Sequence, residues 1–244
     1  MKKTASNWFA TWFDTPYYHT LYKNRDYKEA QDFMSNLTHK LGLNKGASIL
    51  DVACGRGRHS VYLNKLGYNV TGIDLSQNSI DFAKTFENDS LKFKKHDMCV
   101  SLEDSYDAVF NLFTSFGYFE KDESNVNAIK AMRANMKANA YGVIDFLNID
   151  YSLKNLNTNE AKTIDGIQFE IEKWVEDNYL FKKISFSIDG ENHMYTERLK
   201  CIDLELFKTY LKRAELELKS IYGDYTLSPF DKESSERLIL VFTK

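Results

Sequence analysis

Ser48-Ile-Leu-Asp-Val-Ala-Cys-Gly-Arg-Gly57 decides the fold of this chain. Ile49, Leu50 and Val52 make a short apolar strand that delivers Asp51. The turn that follows, Ala53-Cys54-Gly55-Arg56-Gly57, is poor in bulky apolar side chains. Two further strands repeat the pattern: Asn69 to Ile73 ends on Asp74, and Leu91 to His96 ends on Asp97. A glycine-paired turn lets backbone N–H groups come close to a ligand. Carboxylates at successive strand ends hold a nucleoside-bearing ligand at the carboxyl edge of a parallel sheet. Asp74 is placed to accept from both hydroxyls of a ribose. Asp97 suits an exocyclic amine, with the Met98 N–H facing a ring nitrogen, so ribose and adenine are both addressed.

Outward from this turn, strands at 48–54, 69–74, 91–97 and 106–113 interleave with helices at 57–66 and 76–87. A helix at 122–139 carries Val126, Ile129, Arg133 and Met136 on one face, and a strand at 141–148 follows. The third strand alternates Leu91 and Phe93 with Lys92 and Lys94, which places it at a sheet edge. Upstream, an aromatic segment from Trp8 to Tyr22 precedes a helix capped by Asp26, striped by Ala30, Met34, Leu37 and Leu41, and ended by Gly42. Between 150 and 200 the rhythm changes. Ile167, Phe169 and Ile171 alternate, as do Ile184, Phe186 and Ile188, with Asp165-Gly166 and Asp189-Gly190 as turns. These are antiparallel hairpins, expected to grow out of the main sheet because no proline-rich linker sets them apart. A helix capped by Asp203 and strands Glu217–Tyr222 and Arg237–Phe242 close the chain. The expected organisation is an N-terminal helical and aromatic cap (1–45), a core (46–149 with 201–244) and an inserted antiparallel β subdomain (150–200).

The 244 residues carry 32 basic and 35 acidic side chains, a net charge of −3, and no basic block. A nucleic-acid backbone is therefore a poor candidate partner. Three scattered cysteines (Cys54, Cys99, Cys201) match neither a disulfide framework nor a zinc site, which fits a reducing compartment. Asn7, Thr11 and Asp14 interrupt Trp8, Phe9, Trp12 and Phe13 before a signal-peptide core can form, and no apolar run reaches spanning length. The expectation is a cytoplasmic protein, monomer or homodimer, with a small-molecule partner and no membrane.

A nicotinamide dinucleotide is the first rival ligand. Its fingerprint wants a small apolar residue three positions after the second glycine, where this chain has Ser60. Asp51 just before the turn repels a pyrophosphate, although Arg56 and Arg58 could serve one, and suits a cationic ligand instead. Asp51-Val-Ala-Cys-Gly-Arg-Gly57 followed by Gly72-Ile-Asp-Leu-Ser76 resembles the class I S-adenosylmethionine-dependent methyltransferases, with Ala53 in place of the first glycine. The resemblance implies an α/β, Rossmann-like, doubly wound seven-stranded sheet of order 3-2-1-4-5-7-6 with the last strand antiparallel. It implies S-adenosyl-L-methionine as cofactor: Asp51 and the backbone of Ala53, Cys54, Gly55 and Gly57 at the methionine moiety, Asp74 at the ribose, Leu75 at the adenine face, and Asp97-Met98 at its edge. Asn111-Leu-Phe-Thr-Ser-Phe116 then resembles the loop lining the methyl donor, which brings in Asn111 and Phe113.

Methyl transfer from a sulfonium is an in-line displacement in which orientation alone supplies ~7–11 kcal/mol. A base is needed only if the accepting atom arrives protonated. Tyr18, His19, Tyr118 and His193 are the candidates to orient or deprotonate an acceptor. His59 and His96 are expected to support the cofactor site, and His39 to be solvated. Asn111-Leu-Phe-Thr is not the Asn-Pro-Pro-aromatic motif of DNA amino-methylating enzymes, and no Pro-Cys nucleophile is present, which favours a small polar acceptor. Metal ligands are not expected. A nicotinamide-dependent oxidoreductase and a non-catalytic S-adenosylmethionine-binding module are the alternatives.

Overall fold

The computed structural model describes residues 8–23 and 27–244. Asp26, and with it the expected cap of the first long helix, lies outside the described residues. Two short helices, α1 (Trp8–Trp12) and α2 (Pro16–Leu21), lead to α3 (Tyr27–Lys40). Thr15 caps α2 by accepting from the Tyr18 N–H, with Pro16 in the first turn where its missing N–H costs nothing. Gly42, at φ +63°, ends the third helix as its position predicts.

The main sheet follows the sequence reading. Strands β1 (Ser48–Val52), β2 (Asn69–Asp74), β3 (Leu91–Lys95), β4 (Tyr106–Asn111), β5 (Met136–Leu147), β10 (Glu217–Tyr222) and β11 (Arg237–Thr243) lie in the order β10-β11-β5-β4-β1-β2-β3. The first five are parallel, and β11 runs antiparallel to both β5 and β10. With the last two strands counted as sixth and seventh, this is the order 3-2-1-4-5-7-6. β3 is at an edge, its Leu91 and Phe93 buried and its lysines exposed.

Helices cover both faces. Phe33, Met34 and Leu37 of α3, Leu63 of α4 (Arg58–Lys65) and Ile80 of α5 (Gln77–Lys84) pack on Ile49, Val70, Phe110 and Val143. On the other face, Val126, Ile129 and Met132 of α6 (Asp122–Ala134) and Phe207 and Leu211 of α8 (Leu204–Arg213) meet Leu50, Val109, Ile144 and Phe146. Asp203 caps α8 through the Leu206 N–H, as expected.

Two expectations need correction. The helix predicted over 122–139 stops at Ala134, and β5 starts at Met136 instead of 141. The side chain of buried Asn135 accepts from the Leu102 N–H and donates to the Leu102 and Asp104 carbonyls, a set of bonds that overrides the helical preference of the alanines beyond it. The insertion, in turn, does not extend the main sheet. After α7 (Ile149–Lys154), strands β6 (Asn159–Ile164), β7 (Ile167–Glu176), β8 (Tyr179–Ile188) and β9 (Glu191–Lys200) form a separate antiparallel sheet. All three of its hairpins turn on residue pairs with positive φ: Asp165-Gly166, Asp177-Asn178 and Asp189-Gly190. Its apolar face, with Phe169, Ile171, Ile184 and Phe186, packs on Trp8, Trp12 and Leu21. Among the described residues no helix is long and apolar enough to cross a membrane.

Gly57 marks where the fold is least tolerant near the turn. Its φ is +77°, and a Cβ there meets the Phe93 ring at 2.5 Å. Gly57→Ala is expected to cost about 1–2 kcal/mol for the left-handed backbone and about 1–3 kcal/mol for overpacking against Phe93. Urea denaturation measures the loss.

Candidate active site

The three strand ends converge as the sequence predicts. Asp74 closes β2 with each carboxylate oxygen engaged from a neighbouring turn: Oδ2 accepts the Gly55 N–H and Oδ1 the Ser76 N–H, both at 2.8 Å. Burial pushes its carboxyl above the ordinary range, opposed by the N–H groups of Ser76 and Gly55. Ala53 (φ +60°) and Gly55 (φ +55°) carry the chain away from β1 in the left-handed region. A Cβ at Gly55 enters open space, so this is where backbone faces a cavity and not a packed neighbour. That cavity, of about 1110 Å³, runs from the bare turn past Asp74 and Leu75 to Asp97 and Met98. Leu75, Phe82 and Phe86 surround its outer end, each more than two-fifths exposed.

Of the residues expected here, Ala53, Cys54, Gly55, Asp74, Leu75, Asp97, Met98, Phe113, Tyr18, His19 and Tyr118 line this cavity. Four do not. Asp51 lies beneath the floor, 3% exposed, with Oδ2 accepting from the Ser60 hydroxyl at 2.5 Å. Ser60 thus serves a buried carboxylate, where a dinucleotide turn would want packing. Gly57 sits where the Phe93 ring leaves no room for a Cβ. Asn111 is fully buried, and its amide donates to the Val52 and Ser115 carbonyls, tying β1 to the loop after β4 from below. His193 is on the inserted sheet, 5.0 Å from the rings of Tyr17 and Phe186, and lines neither this cavity nor the one beside it. His59 stacks on Phe113 at 4.1 Å and accepts from Arg58, while His96 bonds the Val100 carbonyl; both are in the cavity wall. His39 is exposed, as expected.

Burial sets the electrostatics of the floor and roof. Desolvation raises the Asp51 carboxyl to about 7, despite its Ser60 hydrogen bond, and nearby Asp74 adds to the rise. Its folded-state value is above its unfolded one. The stability it contributes is therefore full below the ordinary carboxylate range and is lost as pH rises toward about 7. His19 moves the other way, to about 4, through burial and then the Arg56 charge, against Asp14. Its imidazole is neutral at pH 7 and only weakly basic.

The sequence reading missed what holds the roof and the wall. Asp14, between α1 and α2, accepts from the Ser76 hydroxyl and, at 2.6 Å, from the Asn78 amide. The aromatic segment is thereby pinned over the cavity. In the wall, Phe113 (φ +56°) and Thr114 (φ +59°) are both left-handed. Buried Asp145 of β5 secures them: its Oδ2 accepts the Phe113 N–H at 2.7 Å and its carbonyl accepts the Thr114 N–H at 3.0 Å. Arg237 of β11 binds Asp145 Oδ1 through Nε and Nη2 and reaches Thr114 Oγ1 at 2.9 Å. Positive φ at two successive non-glycine residues was the missing signal, and the residue types do not announce it. A second cavity of about 680 Å³ adjoins the first at Arg58, Phe113 and Tyr118, and lies between the sheet edge and the inserted strands.

Comparison with known proteins agrees with this geometry. Residues 49–139 match the family described as Methyltransferase domain. The probable S-adenosyl-L-methionine-dependent methyltransferase TehB of Haemophilus influenzae is 34% identical over 100 residues, which cover 39% of this chain and 34% of that protein. The match thus spans only about a third of the length of that curated relative. A solved S-adenosylmethionine-dependent methyltransferase from Clostridium acetobutylicum shares the fold with a TM-score of 0.78 at 21% identity, covering 97% of this chain and 98% of its own. The sugar N-methyltransferase KedS8 from Streptoalloteichus sp. does so with a TM-score of 0.73 at 18% identity, covering 93% of each chain.

Proposed function

We propose that this chain, whose core is a class I S-adenosylmethionine-dependent methyltransferase domain, transfers a methyl group to a nitrogen or oxygen of a small polar acceptor. The observation that carries the proposal is the Gly55 N–H bound to Asp74 Oδ2 in the wall of a cavity that shares Arg58, Phe113 and Tyr118 with a second one. The cradle fits the donor: bare backbone at Gly55, a carboxylate at Asp74 for a ribose, and Asp97 with Met98 at the far end for an adenine edge. S-adenosylmethionine would supply an activated methyl group there.

The chain's own residues then have separable tasks. Asp74 orients the nucleoside. Asp51, whose carboxyl is raised to about 7, lies under the turn, where the ammonium of the amino-acid moiety would favour its ionised form. Phe113 and Tyr118 stand where the two cavities meet and would fix the angle between donor and acceptor. Tyr18 and His19 close the roof and keep water from the displacement. With its pKa near 4, His19 serves better in that role than as a base. A sugar N-methyltransferase among the proteins of like fold supports a small polar acceptor.

The ammonium of the ligand's amino-acid moiety over Asp51 favours its ionised form. S-adenosylhomocysteine affinity is therefore expected to rise as pH increases through about 7, with proton release on binding. Asp51→Asn should flatten this dependence, and calorimetry in buffers of different ionisation heat measures both. Release of S-adenosylhomocysteine from S-adenosylmethionine across a library of small amines and alcohols tests the activity itself. Donor binding with no turnover on any member would favour the non-catalytic reading.

A further inference from the structure

The inserted sheet has one row that its packing does not explain. On one face, cross-strand neighbours follow the register: Glu160, Ile171, Ile184 and Tyr195 in one row, Lys173, Lys182 and Glu197 in the next, and Leu180 and Leu199 with exposed Val175 in the third. A charged row thus runs between two mainly apolar ones. Within it, Lys173 and Lys182 are directly opposite each other, an arrangement that destabilises a sheet unless something of opposite sign sits between or above them. Both are largely buried, with side chains 22% and 19% exposed.

The glutamates nearby only partly compensate. Glu160 receives Lys173 at 3.2 Å and also Lys162. Glu197 is 4.0 Å from Lys182, and its Oε1 already accepts from Trp12 Nε1 and the Tyr22 hydroxyl, both at 2.8 Å. Over the cavity wall as a whole Lys173, Lys182 and Arg58 stand against Glu29, Glu197 and Glu236, so what the lysine pair lacks is local: Glu160 is shared with Lys162, and Glu197 is held by other donors. Lys182 also donates to the Tyr22 hydroxyl. Burial pulls its amine below the ordinary value, against Glu197.

Lys173, Lys182 and Glu197 all line the second cavity, whose other walls include Leu147, Tyr151 and Tyr225. Arg237 in its floor is already neutralised by Asp145. The geometry points to this cavity as the acceptor site, and to an acceptor that carries a single carboxylate, held by the Lys173–Lys182 pair, beside an apolar or aromatic body. The inference rests on the methyl-transfer reading and narrows its acceptor class. One carboxylate would bridge the two facing ammonium groups, and the amine or hydroxyl to be methylated faces the junction at Phe113 and Tyr118.

Calorimetry on protein saturated with S-adenosylhomocysteine tests this with matched probes: L-phenylalanine against L-phenylalaninamide, benzoate against benzamide, and phenyl phosphate as a dianion. The carboxylate of at least one pair is expected to bind about tenfold or more tighter than its amide. Lys182→Met should weaken that carboxylate about tenfold and leave the amide unchanged. Glu197→Gln removes the opposing charge and should tighten it about threefold or more, a gain that damaged folding cannot produce. Equal binding of acid and amide, no binding by either pair, a preference for phenyl phosphate, or indifference to Lys182→Met would each overturn the assignment. Failure of S-adenosylhomocysteine to bind in the first place would overturn the methyl-transfer reading instead.

Discussion

Asp74→Ala is expected to weaken S-adenosylhomocysteine binding by about a hundredfold or more while the protein remains folded. Two ribose hydroxyls donating to a carboxylate lose about 1.5–3 kcal/mol each on its removal, and every 1.4 kcal/mol is about tenfold. The loss is compounded because Asp74 also shapes the turn: its oxygens take the N–H groups of Gly55 and Ser76. Without it, the backbone that faces the cavity at Gly55 loses its tether to β2. The side chain is half-buried at the sheet edge and outside the hydrophobic clusters, so the fold should persist. Titration calorimetry gives the affinity, and circular dichroism the fold. A change of less than about threefold in affinity would show that the carboxylate does not face the ligand.

Arg237→Met is expected to lower stability by about 3–5 kcal/mol, because it leaves Asp145 charged and fully buried. The Asp145 carboxylate keeps the Phe113 N–H and a longer bond from the Tyr225 hydroxyl at 3.3 Å, but no counter-charge. Replacing Asp145 by Asn in the same background should recover part of the loss, since the uncompensated charge is then gone. The two single changes should therefore be strongly non-additive. The effect should reach function as well, because the pair secures the left-handed Phe113-Thr114 segment between the two cavities. Urea denaturation of the two single variants and the double variant supplies the cycle. Additive losses would contradict a coupled pair.

Much of this was legible from residue order. Asp74 at the end of β2, Asp97 just beyond β3, the bare turn, the edge position of β3 and the Asp-Gly hairpins are local signals, each set by what a few neighbouring residues need. What was not legible depends on residues far apart. Asn135 ends α6 only because the 102–104 backbone needs a partner. Lys173, Lys182 and Glu197 become a row only through strand register, and in sequence they look like ordinary polar positions of exposed strands. Asp14 clasps Ser76 and Asn78 across more than sixty residues. Asp51 and Asn111, which the motifs single out, lie beneath the cavity wall, where they support the surface that others present. His193 lies outside both cavities, against the rings of Tyr17 and Phe186.

The most direct test of the central claim is calorimetric titration of the intact protein with S-adenosylhomocysteine, with NADH titrated in parallel. One binding site of about micromolar affinity for S-adenosylhomocysteine, and none for NADH, is the predicted result. No heat with S-adenosylhomocysteine, or binding of NADH in its place, would contradict it.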